Sequence, residues 1–293
     1  MRVGVTLLTD VSWAEARPRW QAVEEMGFAH AWTYDHLVWG GLPDSPWRSG
    51  IPVLAAAAAV TGRIGLGTLV ASPNLRHPYL LFRDAQALED VSDGRFLLGV
   101  GTGGDLDSRV LAGEDLAVRE RVDRFCENVT VLDALRRGDH VDHDGRWFST
   151  ADARTLPGLG RTPLLVAANG PRSVRLAAST GDGWVTTGPW GADDDAWFAA
   201  LGSSAGVLDE ALVGAGRDPA TFPRYLLLDS AGSLTGKPDR TSLSSVGYFT
   251  DLVGRAGELG FTDVVTHWPR STAPYAADEA VLETVAAEVL PTL

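Results

Sequence analysis

Residues Ile64 to Gly104 read IGLGTLVASPNLRHPYLLFRDAQALEDVSDGRFLLGVGTGG, and this stretch decides how the rest of the chain is parsed. Ile64 to Val70 is short, apolar and interrupted by glycine, as a strand buried on both faces should be. His77-Pro78 opens a helical run in which Leu80, Leu81, Ala85 and Leu88 recur at helical spacing, and Asp90 to Gly94 supplies its stop. Arg95 to Val100 is a second buried-type strand, followed directly by Gly101-Thr102-Gly103-Gly104. Such a loop lets backbone N–H groups approach a ligand closely.

The same strand–helix alternation runs from end to end. Strands are expected at Arg2–Leu8, Ala29–Tyr34, Ile64–Val70, Arg95–Val100, Pro163–Ala168, Gly183–Thr187, Tyr225–Leu228 and Asp263–His267. Helical patterns lie between them at Trp13–Met26, Val53–Thr61, Pro78–Asp90, Arg119–Arg137, Arg172–Ser179, Asp194–Gly214 and Ser245–Leu259, with a last one at Ala277–Val289. Eight strands, each followed by a helix, predict a single (β/α)8 TIM barrel over residues 1–293. An open doubly wound sheet is the rival, but no G-x-G-x-x-G follows the first strand. Asp144-Gly145 marks a surface hairpin within His140–Phe148, and the Ser-, Gly- and Pro-rich stretch Ser230–Ser242 reads as a lid loop.

The composition narrows the function. A net charge of -13 disfavours nucleic acid and anionic membranes as partners, since both need a basic face. No apolar run approaches the roughly 20 residues that span a bilayer. With Cys126 the only cysteine, there is no internal disulfide and no cysteine metal cluster. His140 and His143 lack zinc-ligand spacing, so no metal is expected. Anionic cofactors remain possible, because a few backbone amides and arginines can bind a phosphate locally, and cytoplasm is the default setting. A homodimer stays open.

In a barrel of this kind the functional groups sit at the C-terminal ends of the strands. That rule selects Asp35 and His36 with Trp39 just beyond, Thr68 to Ser72, Thr102 to Asp105, Asn169 to Arg172, Thr187 to Trp190, Asp229, and His267 to Arg270. Histidine is the residue type able to move a proton near neutral pH, which makes His36 a candidate acid–base group. Asn169-Gly170-Pro171-Arg172 starts a helix whose free N–H groups suit a phosphate, with Pro171 in the first turn and Arg172 adding charge. Trp190, His267, Trp268 and Arg270 are candidates for a substrate wall, with rim packing as the plain alternative. His30 and His77 read as structural.

LGT with a loop ending in RHP, then LEDVSDGR and LGVGTG, together with TYDH at Thr33–His36 and AANGPRSVRLAASTGDGW at Ala167–Trp184, resembles the luciferase-like family of flavin- and deazaflavin-dependent oxidoreductases. The resemblance implies that the coenzyme ring lies against a cis peptide at Leu69–Val70. It implies cofactor contacts at Asp35, Thr68, Leu69, Val70, Thr102, Gly103, Gly104, Asn169, Gly170, Pro171 and Arg172. In it, His36 is the proton donor or acceptor, Trp39 shields the reacting face, and Asp35 orients cofactor or histidine. The Asp-His pair and GVGTG point to the deazaflavin F420 and hydride transfer. Reduced FMN with oxygen, in a monooxygenase, is the alternative, and a non-catalytic ligand-binding barrel is the rival of another class. Two positions depart from the family pattern. Gly104 stands where deazaflavin relatives often carry glutamate, and Asn169-Gly170 stands where a Gly-Gly or Gly-Ser pair is common.

Overall fold

The computed structural model describes residues 1–111, 113, 115–189, 193–229 and 241–293. Trp190 and all but the last two residues of the expected Ser230–Ser242 lid therefore lie outside the described residues. In chain order the parallel strands are β1 (Arg2–Thr6), β2 (His30–Thr33), β3 (Gly65–Thr68), β4 (Phe96–Val100), β7 (Leu164–Ala167), β8 (Gly183–Thr186), β9 (Arg224–Leu227) and β10 (Asp263–His267). They close into a barrel in which β1 pairs with both β2 and β10. All eight fall inside the stretches the sequence marks, except that Arg224 precedes the expected start of its strand. Strands β5 (Val141–Asp144) and β6 (Ser149–Ala153) form an antiparallel hairpin between β4 and β7. The expected hairpin is present, but its second strand lies beyond the Phe148 bound set by the sequence.

Strand parity separates two cores. Leu164, Val166, Leu226 and Val264 belong to the large apolar shell between strands and helices, whereas Leu165, Tyr225, Leu227 and Val265 join Trp32 in a second, smaller cluster. This is the alternation that a closed barrel demands, one set outward and one inward. Trp32 is fully buried, and its ring occupies the space beside Gly67, where a Cβ would stand 2.2 Å from it. Glycine at that position is a packing requirement, since truncating a buried ring of this size typically costs about 3–5 kcal/mol.

The LEDVSDGR segment is a structural clamp. It ends α3 (Pro78–Val91), which starts with Pro78 at its first position and the His77 ring accepting from the Tyr79 N–H. The Glu89 carboxylate accepts from the backbone N–H groups of Gly160, Arg161 and Thr162 and from the Thr162 hydroxyl. Arg95 donates to the carbonyls of Ala58, Thr61, Ile64 and Ser92. These bonds fix the N-terminal end of the barrel and leave the other end free for function. No described helix is long and apolar enough to cross a membrane.

Candidate active site

The loops after the strands enclose one cleft at the C-terminal end of the barrel, in two adjoining chambers. The first, about 440 Å³, is lined by Tyr34, His36 and Trp39 after β2, by Leu69 and Val70 after β3, and by Thr102, Gly103 and Gly104 after β4. Asn169, Thr187, Pro189, Leu227, Asp229 and Tyr275 complete it. The second, about 360 Å³, shares Leu69, Val70, Thr102, Gly103, Asn169, Thr187 and Leu227, and adds Gly170, Ser173 and the apolar Val118, Val122 and Val185. Together they fall within the range of small-molecule and cofactor sites.

Backbone geometry shapes this cleft. The Leu69–Val70 peptide is cis, as the resemblance implies, and both residues form the wall shared by the chambers. Gly103 takes a φ of +69°, where a side chain would be strained, and a Cβ there would stand within 2.7 Å of Asn74 and Ser72. The helix α6 (Pro171–Thr180) begins at the second chamber with no side-chain cap, so its first-turn N–H groups remain available to an anion. A Cβ on Gly170 would meet nothing within 4 Å, which leaves room for a phosphate there.

His36 is the histidine that lines the cleft. Its Nδ1 lies 2.6 Å from Asp107 Oδ2, while the other Asp107 oxygen accepts from the N–H of Leu37 at 2.8 Å and of Val38 at 3.3 Å. Burial pushes the Asp107 carboxyl up, but His36 and the two amides outweigh it and hold it below the usual carboxylate range. An ionised Asp107 requires a proton on His36 Nδ1, which leaves the Nε2 lone pair open in the neutral ring. Nε2 has no hydrogen-bond partner among the described residues. Asp107 sits on a short helix, α4 (Asp105–Val110), directly after the glycine loop.

Several sequence-selected residues sit elsewhere. Asp35 does not orient His36 and does not line the cleft. It is buried in a two-pronged pair with Arg76, at 2.7 and 3.1 Å, because adjacent side chains on an extended segment point to opposite sides. Burial pushes its carboxyl above the usual range despite Arg76. Thr68 is fully buried and donates to the Gly99 carbonyl at 2.7 Å. Pro171 and Arg172 stay off the cleft wall, and Arg172 is ion-paired with Asp123. His267 lies one layer behind the wall, Trp268 donates to Glu279, and Arg270 pairs with Asp10 in a small depression of its own.

Three groups that the sequence reading left without a role complete the site. Asp107 is the first. Tyr34 and Tyr275 are the others, with their hydroxyls 3.2 Å apart and Tyr275 stacked on Trp39 at 5.8 Å between centroids. Asp107 lies 71 residues from His36 and Tyr275 lies 241 from Tyr34, so no local pattern joins them. Asn169 does line the cleft, but both ends of its amide are engaged by Thr186 and Thr187.

The family model described as luciferase-like monooxygenase matches residues 1–222. The chain belongs to the luciferase-like family. Among proteins of known name, it is 37% identical over 174 residues to the F420-dependent glucose-6-phosphate dehydrogenase of Beutenbergia cavernae, covering 56% of this chain and 49% of that protein. It is 33% identical over 209 residues to the F420-dependent hydroxymycolic acid dehydrogenase of Mycobacterium tuberculosis, covering 69% and 54%. The matched region thus spans about half the length of these relatives. Two solved structures share the fold over nearly the whole chain. An F420-dependent secondary alcohol dehydrogenase bound to an F420–acetone adduct has a TM-score of 0.81 at 18% identity, covering 99% and 98%. The coenzyme F420-dependent tetrahydromethanopterin reductase of Methanopyrus kandleri has a TM-score of 0.77 at 18% identity, covering 99% of both chains.

Proposed function

We propose that this luciferase-like protein is an F420-dependent oxidoreductase that exchanges a hydride with a small organic substrate in a single barrel unit. The observation that carries the proposal is His36, which lines the cleft beside Trp39 with Nδ1 tied to Asp107 and Nε2 unpartnered among the described residues. When bound, the coenzyme supplies a ring carbon that takes up or gives a hydride. Leu69, Val70 and Gly103 would hold the ring, while Gly170, Ser173 and the start of α6 would hold the phosphate end. His36 Nε2 would act as a proton donor or acceptor in the transfer, and Asp107 would steady its imidazolium form. Trp39 and the cleft aromatics exclude water. The F420-dependent relatives support this coenzyme over FMN.

A cytoplasmic setting and a homodimer belong to the same reading. Titration of the protein with F420 and with FMN, followed by tryptophan fluorescence, tests it. F420 should bind at least about tenfold more tightly, a difference of about 1.4 kcal/mol. Tighter FMN binding would replace the proposal by the monooxygenase reading. Binding of neither would favour a non-catalytic barrel.

A further inference from the structure

Behind the cleft wall runs a second chain of polar groups that the His36 reading does not use. Asp229 Oδ2 lies 2.6 Å from His267 Nδ1 and also accepts from the His267 backbone N–H at 3.1 Å. The other Asp229 oxygen accepts from the Ser242 N–H at 2.7 Å. On the far side of the imidazole, Nε2 lies 2.6 Å from the Tyr34 hydroxyl. Tyr275 stacks on the His267 ring, with 3.5 Å between centroids and 7° between planes. All four residues are buried, yet Tyr34, Tyr275 and Asp229 also line the first chamber.

Counting donors fixes the direction of these bonds. A carboxylate only accepts, so His267 Nδ1 carries a proton and the neutral ring offers Nε2 as acceptor. Tyr34 must then donate to Nε2, and Tyr275 can donate to the Tyr34 oxygen. That oxygen keeps capacity to accept from a ligand in the cleft. The ordering is that of a nucleophile or hydroxyl, a histidine and an orienting carboxylate, here with a phenol at the cleft end.

We infer that Tyr34, His267 and Asp229 form a proton relay at the substrate end of the cleft, with Tyr34 as the group that touches the substrate oxygen. The inference rests on the hydride-transfer reading and names the substrate class, a small alcohol or carbonyl compound. In the oxidising direction the substrate carbon loses its hydrogen and two electrons as hydride to the oxidised deazaflavin. The substrate O–H bond breaks as its proton passes to the Tyr34 oxygen, and the Tyr34 proton moves to His267 Nε2. A carbonyl product, reduced coenzyme and a His267 imidazolium beside Asp229 result. Reduction runs the same steps backward. Burial pushes both phenols well above their ordinary range, so the tyrosine passes the proton on in one motion and never persists as tyrosinate. Among the described residues the charged or titratable groups facing this relay are His36, edge-on to Tyr34, and Arg270, which acts on Tyr275 and is paired with Asp10.

Two measurements test the relay. Nitrogen-15 NMR of histidine-labelled protein without coenzyme should show His267 as the Nδ1–H tautomer, with its Nε2 resonance displaced in Tyr34→Phe. An Nε2–H tautomer would reverse the wiring and overturn the inference. In protein loaded with F420 and assayed with 2-propanol and acetone, Tyr34→Phe should lower kcat about 10²-fold, with KM and coenzyme affinity changed less than about threefold. Tyr275→Phe, which leaves the three-group chain intact, should lose less than about tenfold. Wild-type kcat in Tyr34→Phe would overturn the relay while leaving the coenzyme reading standing. Failure of the wild-type protein to bind F420 would sink the coenzyme reading, and with it the assigned substrate step, whatever the tautomer.

Discussion

Two histidine–aspartate pairs lie at opposite ends of this barrel, and they differ in what the second ring nitrogen meets. At the closed end, His30 Nε2 is 2.9 Å from Asp263, and Nδ1 accepts from the Trp32 indole N–H at 2.6 Å. Arg2 and the Thr262 hydroxyl complete the Asp263 carboxylate. Every polar atom is spent, and the ring is almost fully buried. At the open end, His36 has the same kind of carboxylate partner, a side chain 21% exposed, and a second nitrogen with no described partner. That free nitrogen, more than the carboxylate, is what separates a group able to exchange protons from a packing element.

Replacing His36 by asparagine should produce the largest effect. Rough volume and some hydrogen bonding survive, but the proton-exchanging nitrogen is lost. Turnover should fall about 10²–10⁴-fold, the usual range for a general acid–base group. Coenzyme affinity should change far less, because the cleft backbone and the start of α6 supply most of the binding. Measuring both on one preparation separates the roles. Unchanged turnover would make His36 a bystander like His30, and equal loss of binding and turnover would make it a positioning residue.

The contrast also marks what could be read in the sequence. Buried parallel strands are apolar runs bounded by glycine, so all eight were legible, and with them the end of the barrel that carries function. His36, Trp39, Leu69, Val70, Thr102, Gly103, Gly104, Asn169 and Gly170 accordingly meet in the cleft. A strand-end rule fixes height along the barrel axis but not which way a side chain faces. Asp35 and Thr68 therefore turn away to Arg76 and to the Gly99 carbonyl. Asp107 escaped because a six-residue helix carries it across the mouth, and nothing near it in sequence signals that path. Tyr275 depends on a backbone φ of +64°, which its residue type does not announce.

The closed-end pair should show itself through acid. Burial, as the dominant cause, holds the His30 pKa below its ordinary value despite the raising influence of Asp263. The unfolded chain therefore binds a proton near pH 6.5 that the folded state refuses. Stability contributed by neutral His30 is present above that pH and is lost as pH falls from about 6.5 toward the depressed folded value, by at most about 1.4 kcal/mol per pH unit. Asp263, also held low, contributes a separate loss below about pH 4, near the unfolded carboxyl value. Urea midpoints at pH 7, 6 and 5 for wild type and His30→Gln would separate these windows. A variant with the same slope between pH 6.5 and 5 as wild type would show that His30 is not the group being titrated.

The smallest effect is expected at Arg172, where sequence and structure disagree most plainly. Its place in the first turn of α6 suits a phosphate, but its guanidinium is paired with Asp123 and does not line the cleft, whereas Gly170 and Ser173 do. The pair is half-exposed, and such pairs contribute about 0–1 kcal/mol. For Arg172 to reach a phosphate it would first have to leave Asp123, so its net gain on binding is small. Arg172→Ala should therefore weaken F420 binding by no more than about fivefold, the equivalent of roughly 1 kcal/mol. Fluorescence titrations of wild type and variant at the same ionic strength decide the matter. A loss well beyond tenfold would mean that Arg172 swings from Asp123 to the ligand, and the helix start would then bind its anion by charge as well as by backbone amides.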